Sequence, residues 1–126
     1  MGKLDFSNKK IFKLKQESIE SGINTVSNLL IENEQVVGSY SSMRDKVVFT
    51  NKRIISVNVQ GLTGTKRDFT SFPYSKIQIY SVETAGAIDL DAELELFFSG
   101  DISIKFEFFG SNNIEEIGRM ISKFIL

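Results

Sequence analysis

Residues Arg44–Leu96 read RDKVVFTNKRIISVNVQGLTGTKRDFTSFPYSKIQIYSVETAGAIDLDAELEL. Short segments rich in β-branched and aromatic residues follow one another, and turn residues such as Asn51, Gly61 and Gly64 stand between them. This alternation is typical of antiparallel strands joined by tight turns. With its flanks, the stretch predicts seven strands, over residues 35–40, 46–50, 53–60, 66–72, 76–83, 90–98 and 102–109.

Two hairpin registers can be predicted. A turn at Asn51-Lys52 pairs Phe49 with Ile54, since Asn tolerates the positive φ of such turns. If residues 99–101 form the last loop, Glu95 faces Lys105 and Glu93 faces Glu107 on the outer side. The inward pairs are then all apolar: Phe98 with Ile102, Leu96 with Ile104, Leu94 with Phe106, and Ala92 with Phe108. A slip of one residue would mix the two faces, so burial fixes this register.

Helices are predicted on both sides of the strands. Apolar residues recur at helical spacing before the first strand, and Gly22 separates them from an earlier Lys-rich helical piece. The residues of this first stripe are Ile19, Ile23, Val26 and Leu30. A second helix covers residues 113–124, with an apolar stripe made of Ile114, Ile117, Ile121 and Phe124. The expected architecture is therefore mainly β with helices.

Composition excludes several classes of function. The chain has 126 residues with no Cys and no His, so it lacks thiolate chemistry, the commonest metal ligand and the commonest general base near neutral pH. We therefore expect no enzyme activity, no metal and no cofactor. No apolar run approaches the ~20 residues of a membrane span, and the N-terminus lacks a signal-peptide core, so we expect a cytoplasmic protein.

The segments RDKVVFTNKRIISVNVQGLTG, FPYSKI and SVETAGAIDLDAELEL closely resemble the bacterial pleckstrin-homology (PH) domain family of small stand-alone proteins, long catalogued as a domain of unknown function. The resemblance covers roughly residues 29–109. It implies one PH-like domain over residues 1–126: an N-terminal helical extension (1–32), a seven-stranded antiparallel β-sandwich or partly open barrel (35–109), and a C-terminal capping helix (112–126). It also implies a ring-forming, pentameric homo-oligomer with no established activity.

A basic patch is the candidate site for anions or lipids. Its residues are Arg44, Lys46, Lys66 and Arg67. Lipid-binding PH domains hold inositol phosphates with Lys and Arg on the first two strands and their loop, which here is SYSSMRDKVVF. That stretch has no lysine on the preceding strand, and Asp45 separates its two cations. With the Lys-rich segment 3–15, the patch supports an alternative reading as a peripheral membrane module, for which we expect weak binding at most. Nucleic acid is not expected, because the chain lacks a high pI.

Four alternating carboxylates follow one another at Asp89, Asp91, Glu93 and Glu95. A calcium site or a carboxylate pair for catalysis could use such residues. The wet side of an amphipathic strand explains them better, because carboxylates diverge along a strand and lack the loop carbonyls of a calcium shell.

Phe97 and Phe109 occupy outward positions, so either the N-terminal helices or another subunit must cover them. The candidate oligomer interface comprises Phe97, Phe109, Asp91, Glu93, Lys52 and Arg53. From these residues and the resemblance we expect a non-catalytic PH-like binding and assembly module. It would associate with itself into a closed homo-oligomer, and another protein could also be a partner.

Overall fold

The computed structural model describes residues 9–61, 64–88, 90–109 and 114–126, without the side chains of Lys9 and Phe12. These residues form two compact units, one made of Leu14–Tyr74 and the other of the chain up to Lys13 together with Ser75–Leu126. The described strands are β1 (Lys9–Gln16), β2 (Val36–Ser41), β3 (Asp45–Thr50), β4 (Arg53–Gln60), β5 (Lys66–Pro73), β6 (Ile79–Glu83), β7 (Ala92–Phe98) and β8 (Ile102–Phe108). The helices are α1 (Ile19–Val26), α2 (Ile114–Ile125) and a 3-10 turn at Tyr74–Lys76.

In the unit Leu14–Tyr74, antiparallel strands lie in the order β5-β4-β3-β2-β1. The predicted pairing of Phe49 with Ile54 is confirmed. The turn between them is built differently from the prediction, because Asn51 does not adopt a positive φ. Instead, the Thr50 hydroxyl accepts hydrogen bonds from the backbone N–H groups of Lys52 and Arg53, each at 3.0 Å.

Helix α1 packs on one face of this sheet through a glycine. Its buried residues are Gly22 and Val26, and Val26 joins a core cluster with Val36, Val48, Ile55 and Val57. A Cβ on Gly22 would lie 2.7 Å from Ser39 Cβ, so the helix can approach the sheet this closely only because Gly22 has no side chain. Ile19 and Ile23, expected in the apolar stripe, are exposed instead.

In the other unit, the order is β1-β8-β7-β6. The predicted β7–β8 register is confirmed at every pair from Ala92–Phe108 to Phe98–Ile102. Helix α2 contacts β6 and β7, and Gly118 lies close to Val82. Of the predicted stripe, Ile114, Ile117 and Ile121 are buried and Phe124 is half-buried.

The expected Lys-rich helical piece is wrong over Lys9–Gln16, which forms β1; residues 1–8 lie outside the described part. Lys13 has a φ of 60°, which interrupts the alternation of the strand. Ile11 and Leu14, three residues apart, are therefore both buried. That spacing is typical of a helix, and it hides an eighth strand among the described residues.

Candidate functional site

The outer face of the β6-β7-β8 sheet carries the first candidate surface. The two registers place Ile79 opposite Phe97, and Phe97 opposite Ser103, in one cross-strand row. Ile79 is 63% exposed, while Phe97 is half-buried. Ile79 in β6 and Phe97 in β7 thus form an apolar row, and β6 is the outermost strand of its unit among the described residues.

The acidic row of Asp91, Glu93 and Glu95 lies on the same sheet and is neutralised by lysines of the same unit. Lys10 Nζ and Lys105 Nζ each lie 3.5 Å from a carboxylate oxygen of Glu93. Lys10 also lies 3.8 Å from Glu107, so it bridges the two like charges of the predicted Glu93–Glu107 pair. Lys13 Nζ lies 3.8 Å from Asp91. Among the described residues, no three carboxylates are grouped as they would be around a metal ion.

Phe109, the second predicted interface phenylalanine, is also exposed. Lys13 Nζ lies 5.2 Å from its ring centroid, within the range of a cation–π contact. Within the described part of the chain, a lysine of β1 thus contacts this ring.

Lys52 and Arg53, the basic half of the predicted interface, differ in their surroundings. Lys52 is exposed at the β3–β4 turn, whereas Arg53 is bound within its own unit. Arg53 Nε donates to Glu34 Oε2 at 2.9 Å and Nη2 donates to Oε1 at 3.0 Å, a two-pronged pair. The Glu34 side chain is 0% exposed.

Two further donors complete the environment of Glu34. The Thr50 hydroxyl donates to Oε2 at 2.7 Å, and the Ile31 N–H donates to Oε1 at 3.1 Å. Burial acts to raise the pKa of Glu34, but the hydrogen bonds from Arg53 and Thr50 outweigh it, and the pKa is lowered. The group fastens the segment before β2 to the β3–β4 turn.

The basic patch borders a cavity of about 310 Å³ beside α1. Arg44, Lys46 and Arg67 line it, whereas Lys66 does not. A second cavity of about 460 Å³ between α1 and β5 also includes Arg67. The structure therefore brings three of the four predicted anion-binding residues together.

Lys46 is already engaged in this cavity. Its Nζ lies 3.1 Å from Glu17 and donates to Thr25 Oγ1 at 2.9 Å and to Ser21 Oγ at 3.2 Å. Burial acts to raise the pKa of Glu17, but hydrogen bonds from Ser39 and Lys46 lower it overall. Arg44 Nη1 donates to the Val59 carbonyl at 3.3 Å. Two of the three cations thus have partners within the unit.

Comparison with known proteins identifies the family. The profile of the bacterial PH domain matches residues 5–125, and the chain belongs to that family. A DUF1696 family protein with a pleckstrin-homology domain from Shewanella loihica PV-4 is 34% identical in its crystal structure. The structural match covers 92% of this chain and 100% of the Shewanella loihica chain, with a TM-score of 0.79. A pleckstrin homology domain from Shewanella amazonensis SB2B is 35% identical over 87% of this chain and 90% of its own, with a TM-score of 0.67.

The sequence relatives are uncharacterized proteins. YjqA of Bacillus subtilis (strain 168) is 48% identical over 75 residues, which are 60% of either chain. YvbH of the same strain is 35% identical over 72 residues. The match spans 56% of this chain but only 35% of YvbH.

The predicted fold class is confirmed, with one strand more than expected among the described residues: a mostly β, PH-like fold with a C-terminal helix and a short N-terminal helix. None of the described helices is long and apolar enough to span a bilayer.

Proposed function

We propose that this chain is a non-catalytic PH-like binding and assembly module that associates with itself into a closed homo-oligomer. The observation that carries the proposal is the apolar row formed by Ile79 in β6 and Phe97 opposite it in β7. Fully burying one such aliphatic side chain contributes about 1.5–3 kcal/mol. Covering this row with a partner surface therefore makes a substantial favourable contribution to the free energy of association.

The electrostatics of the same face favour a protein partner. Its carboxylates at Asp91 and Glu93 are matched by Lys13, Lys10 and Lys105. A face whose charges are already paired can be covered without leaving an unpaired buried ion, which would cost several kcal/mol. A second copy is the occupant that the family resemblance implies. Asp91 and Glu93 belong to the predicted interface, but their pairing with lysines of the same chain weakens any contact with a neighbour's cations, so apolar contact supplies most of the affinity.

The test compares two lysine substitutions of exposed isoleucines. Ile79→Lys places a charge in the apolar row, whereas Ile88→Lys does so in the β6–β7 loop, where Ile88 is 98% exposed. We expect Ile79→Lys and Phe97→Glu to reduce the mass measured by light scattering, and Ile88→Lys to leave it unchanged. Thermal unfolding checks that the variants fold. An oligomer that is equally stable in all three variants would contradict the proposed surface.

Anionic lipid binding is a second candidate, supported by one observation. Met43 is 98% exposed in the loop next to Arg44, at the rim of the 310 Å³ cavity. An apolar tip beside cations suits a membrane surface. Cosedimentation with phosphatidylserine vesicles at physiological salt should then fall with Met43→Asp and with Arg44→Glu. Equal recovery with neutral and anionic vesicles would contradict it.

A further inference from the structure

Three cations lie on the side of the sheet that carries α1. Lys46 pairs with Val57, and Arg67 pairs with Val59, two residues further along β4. Directly opposed residues share a face of an antiparallel sheet, as do residues two apart in one strand, and Val57 belongs to the core cluster that includes α1. Arg44 lies beside Val59, whose N–H donates to the Arg44 carbonyl at 2.9 Å. The three cations therefore meet at the cavity of about 310 Å³ beside α1.

The two arginines of this cavity keep donors for a ligand. A guanidinium carries several N–H donors, and Arg44 uses one of them on the Val59 carbonyl at 3.3 Å. Among the described residues, no carboxylate forms an ion pair with Arg44 or Arg67. The hydroxyl groups of Ser41 and Ser42 also line the cavity. The lining thus suits a small anion that accepts several hydrogen bonds.

A carboxylate of the chain already occupies part of the same cavity. Glu17 lines it, and Glu17 Oε2 lies 3.1 Å from Lys46 Nζ and accepts a hydrogen bond from Ser39 at 2.5 Å. Burial acts to raise the pKa of Glu17, but these hydrogen bonds lower it overall, so the carboxylate is charged at neutral pH. The carboxylate of Asp45, which also lines the cavity, accepts from Asn58 at 2.8 Å. Lys46 is therefore matched by an internal anion, whereas the two arginines are not.

We infer that this cavity binds a phosphoryl group between the guanidinium groups of Arg44 and Arg67. Glu17 competes with the bound group for Lys46. The inference deepens the second candidate function by naming the chemical group that is bound, and it requires neither a membrane nor self-association. Guanidinium groups match phosphoryl oxygens with paired hydrogen bonds. A phosphoryl dianion also competes with the single charge of Glu17 better than a monoanion does, so the internal carboxylate favours dianions.

The phosphoryl group has two possible sources, a soluble phosphate ester and a lipid headgroup. The cavity of about 460 Å³ shares Thr25 and Arg67 with the first cavity, so it gives room for the rest of a soluble ester. Its other lining residues are all polar: Ser18, Glu20, Ser21 and Asn24. Met43, exposed at the rim of the first cavity, suits a lipid instead. Both sources use the same arginines.

The test titrates the full chain with inorganic phosphate at constant ionic strength and follows backbone amide shifts by NMR, with acetate as the monoanion control. We expect Arg67→Ala to weaken phosphate binding about tenfold, because a charge-assisted hydrogen bond is lost. Lys66→Ala is the matched control, since it removes the preceding cation, which does not line the cavity. Both residues are exposed, so neither change should prevent folding. Glu17→Gln should strengthen phosphate binding about fivefold, because a competing charge is removed.

Two results of this titration would overturn the inference. Phosphate that causes no saturable shifts, or an equal loss of affinity in Lys66→Ala and Arg67→Ala, would overturn the site. Phosphate affinity that is unchanged in a folded Glu17→Gln variant would overturn the competition assigned to Glu17.

Cosedimentation with vesicles separates the two sources. If a lipid headgroup is bound, phosphatidic acid vesicles, which carry a phosphomonoester, should retain the protein, and Arg67→Ala or added phosphate should release it. Phosphate binding without retention on vesicles would assign the site to a soluble ester and contradict only the lipid candidate. Retention that depends on Met43 but is not reduced by phosphate would overturn this inference and leave the lipid candidate intact.

Discussion

The carboxylate of Glu34 binds to parts of its unit that lie far apart in the sequence. It is fully buried and receives hydrogen bonds from Arg53, Thr50 and the Ile31 N–H. Removing one partner of a buried ion pair leaves an uncompensated charge and typically costs about 3–5 kcal/mol. We expect Arg53→Met to lower the free energy of unfolding by about 3 kcal/mol, measured by urea denaturation at pH 7. The exposed neighbour Lys52→Met is the control and should change it little.

The same carboxylate predicts a pH dependence. The pKa of Glu34 in the folded state lies below its ordinary value of 4.5. Its contribution to stability is therefore present above about pH 4.5 and is lost as the pH falls through the lower folded pKa. In Arg53→Met, burial without the guanidinium should raise the Glu34 pKa, so acidification should cost that variant less. A parallel loss of stability in both proteins would contradict this account.

Replacing Gly22 is expected to destabilise the protein for a steric reason. Alanine would gain about 1 kcal/mol of helix propensity, but its Cβ would lie 2.7 Å from Ser39 Cβ. The Ser39 hydroxyl is held by Glu17 at 2.5 Å, so the clash is not easily relieved. Overpacking costs about 1–3 kcal/mol, and we expect a net destabilisation of about 1 kcal/mol by thermal unfolding. Asn24→Ala, on the exposed side of α1, should be neutral or stabilising. A stabilised Gly22→Ala would show that α1 shifts freely.

Among the secondary-structure elements, substitutions in α2 test how a helix is held on its sheet. Ile121 is fully buried and Phe124 is half-buried. Ile121→Ala should therefore cost about 2–5 kcal/mol, and Phe124→Ala less than the ~3 kcal/mol expected for a buried ring. Arg119→Ala, on the exposed side, is the control in the same denaturation series. A larger loss for Phe124 than for Ile121 would contradict the observed rotation of the helix.

The same elements show what sequence periodicity can predict. The register of β7 and β8 was predictable because apolar residues alternate from Ala92 to Leu96 and from Ile104 to Phe108, and a slip would expose them. The strand β1 was not predictable, because the positive φ of Lys13 gives the buried residues Ile11 and Leu14 the spacing of a helix.

The residues of the candidate surface were predictable in part. Phe97 and Phe109 were identified from their outward positions in the predicted strands, although β8 ends at Phe108 and Phe109 follows it. The pairing of Glu34 with Arg53 left no local pattern, since the two are 19 residues apart in the chain. Ile79 was missed because no periodicity in IYSVE reveals that β6 is the outermost strand of its unit among the described residues.

For the molecule as a whole, self-association is the central expectation. The proposed self-association uses the apolar row of Ile79 and Phe97 on β6 and β7. Ion pairs within the chain neutralise the acidic row, so assembly should persist at moderate salt rather than depend on long-range attraction.

Light scattering coupled to size-exclusion chromatography measures this most directly, with the unmodified chain at micromolar concentration and physiological salt. We expect a single species whose mass is a whole-number multiple of 14.2 kDa and at least twice that value. A species of 14.2 kDa that does not grow with concentration would contradict it.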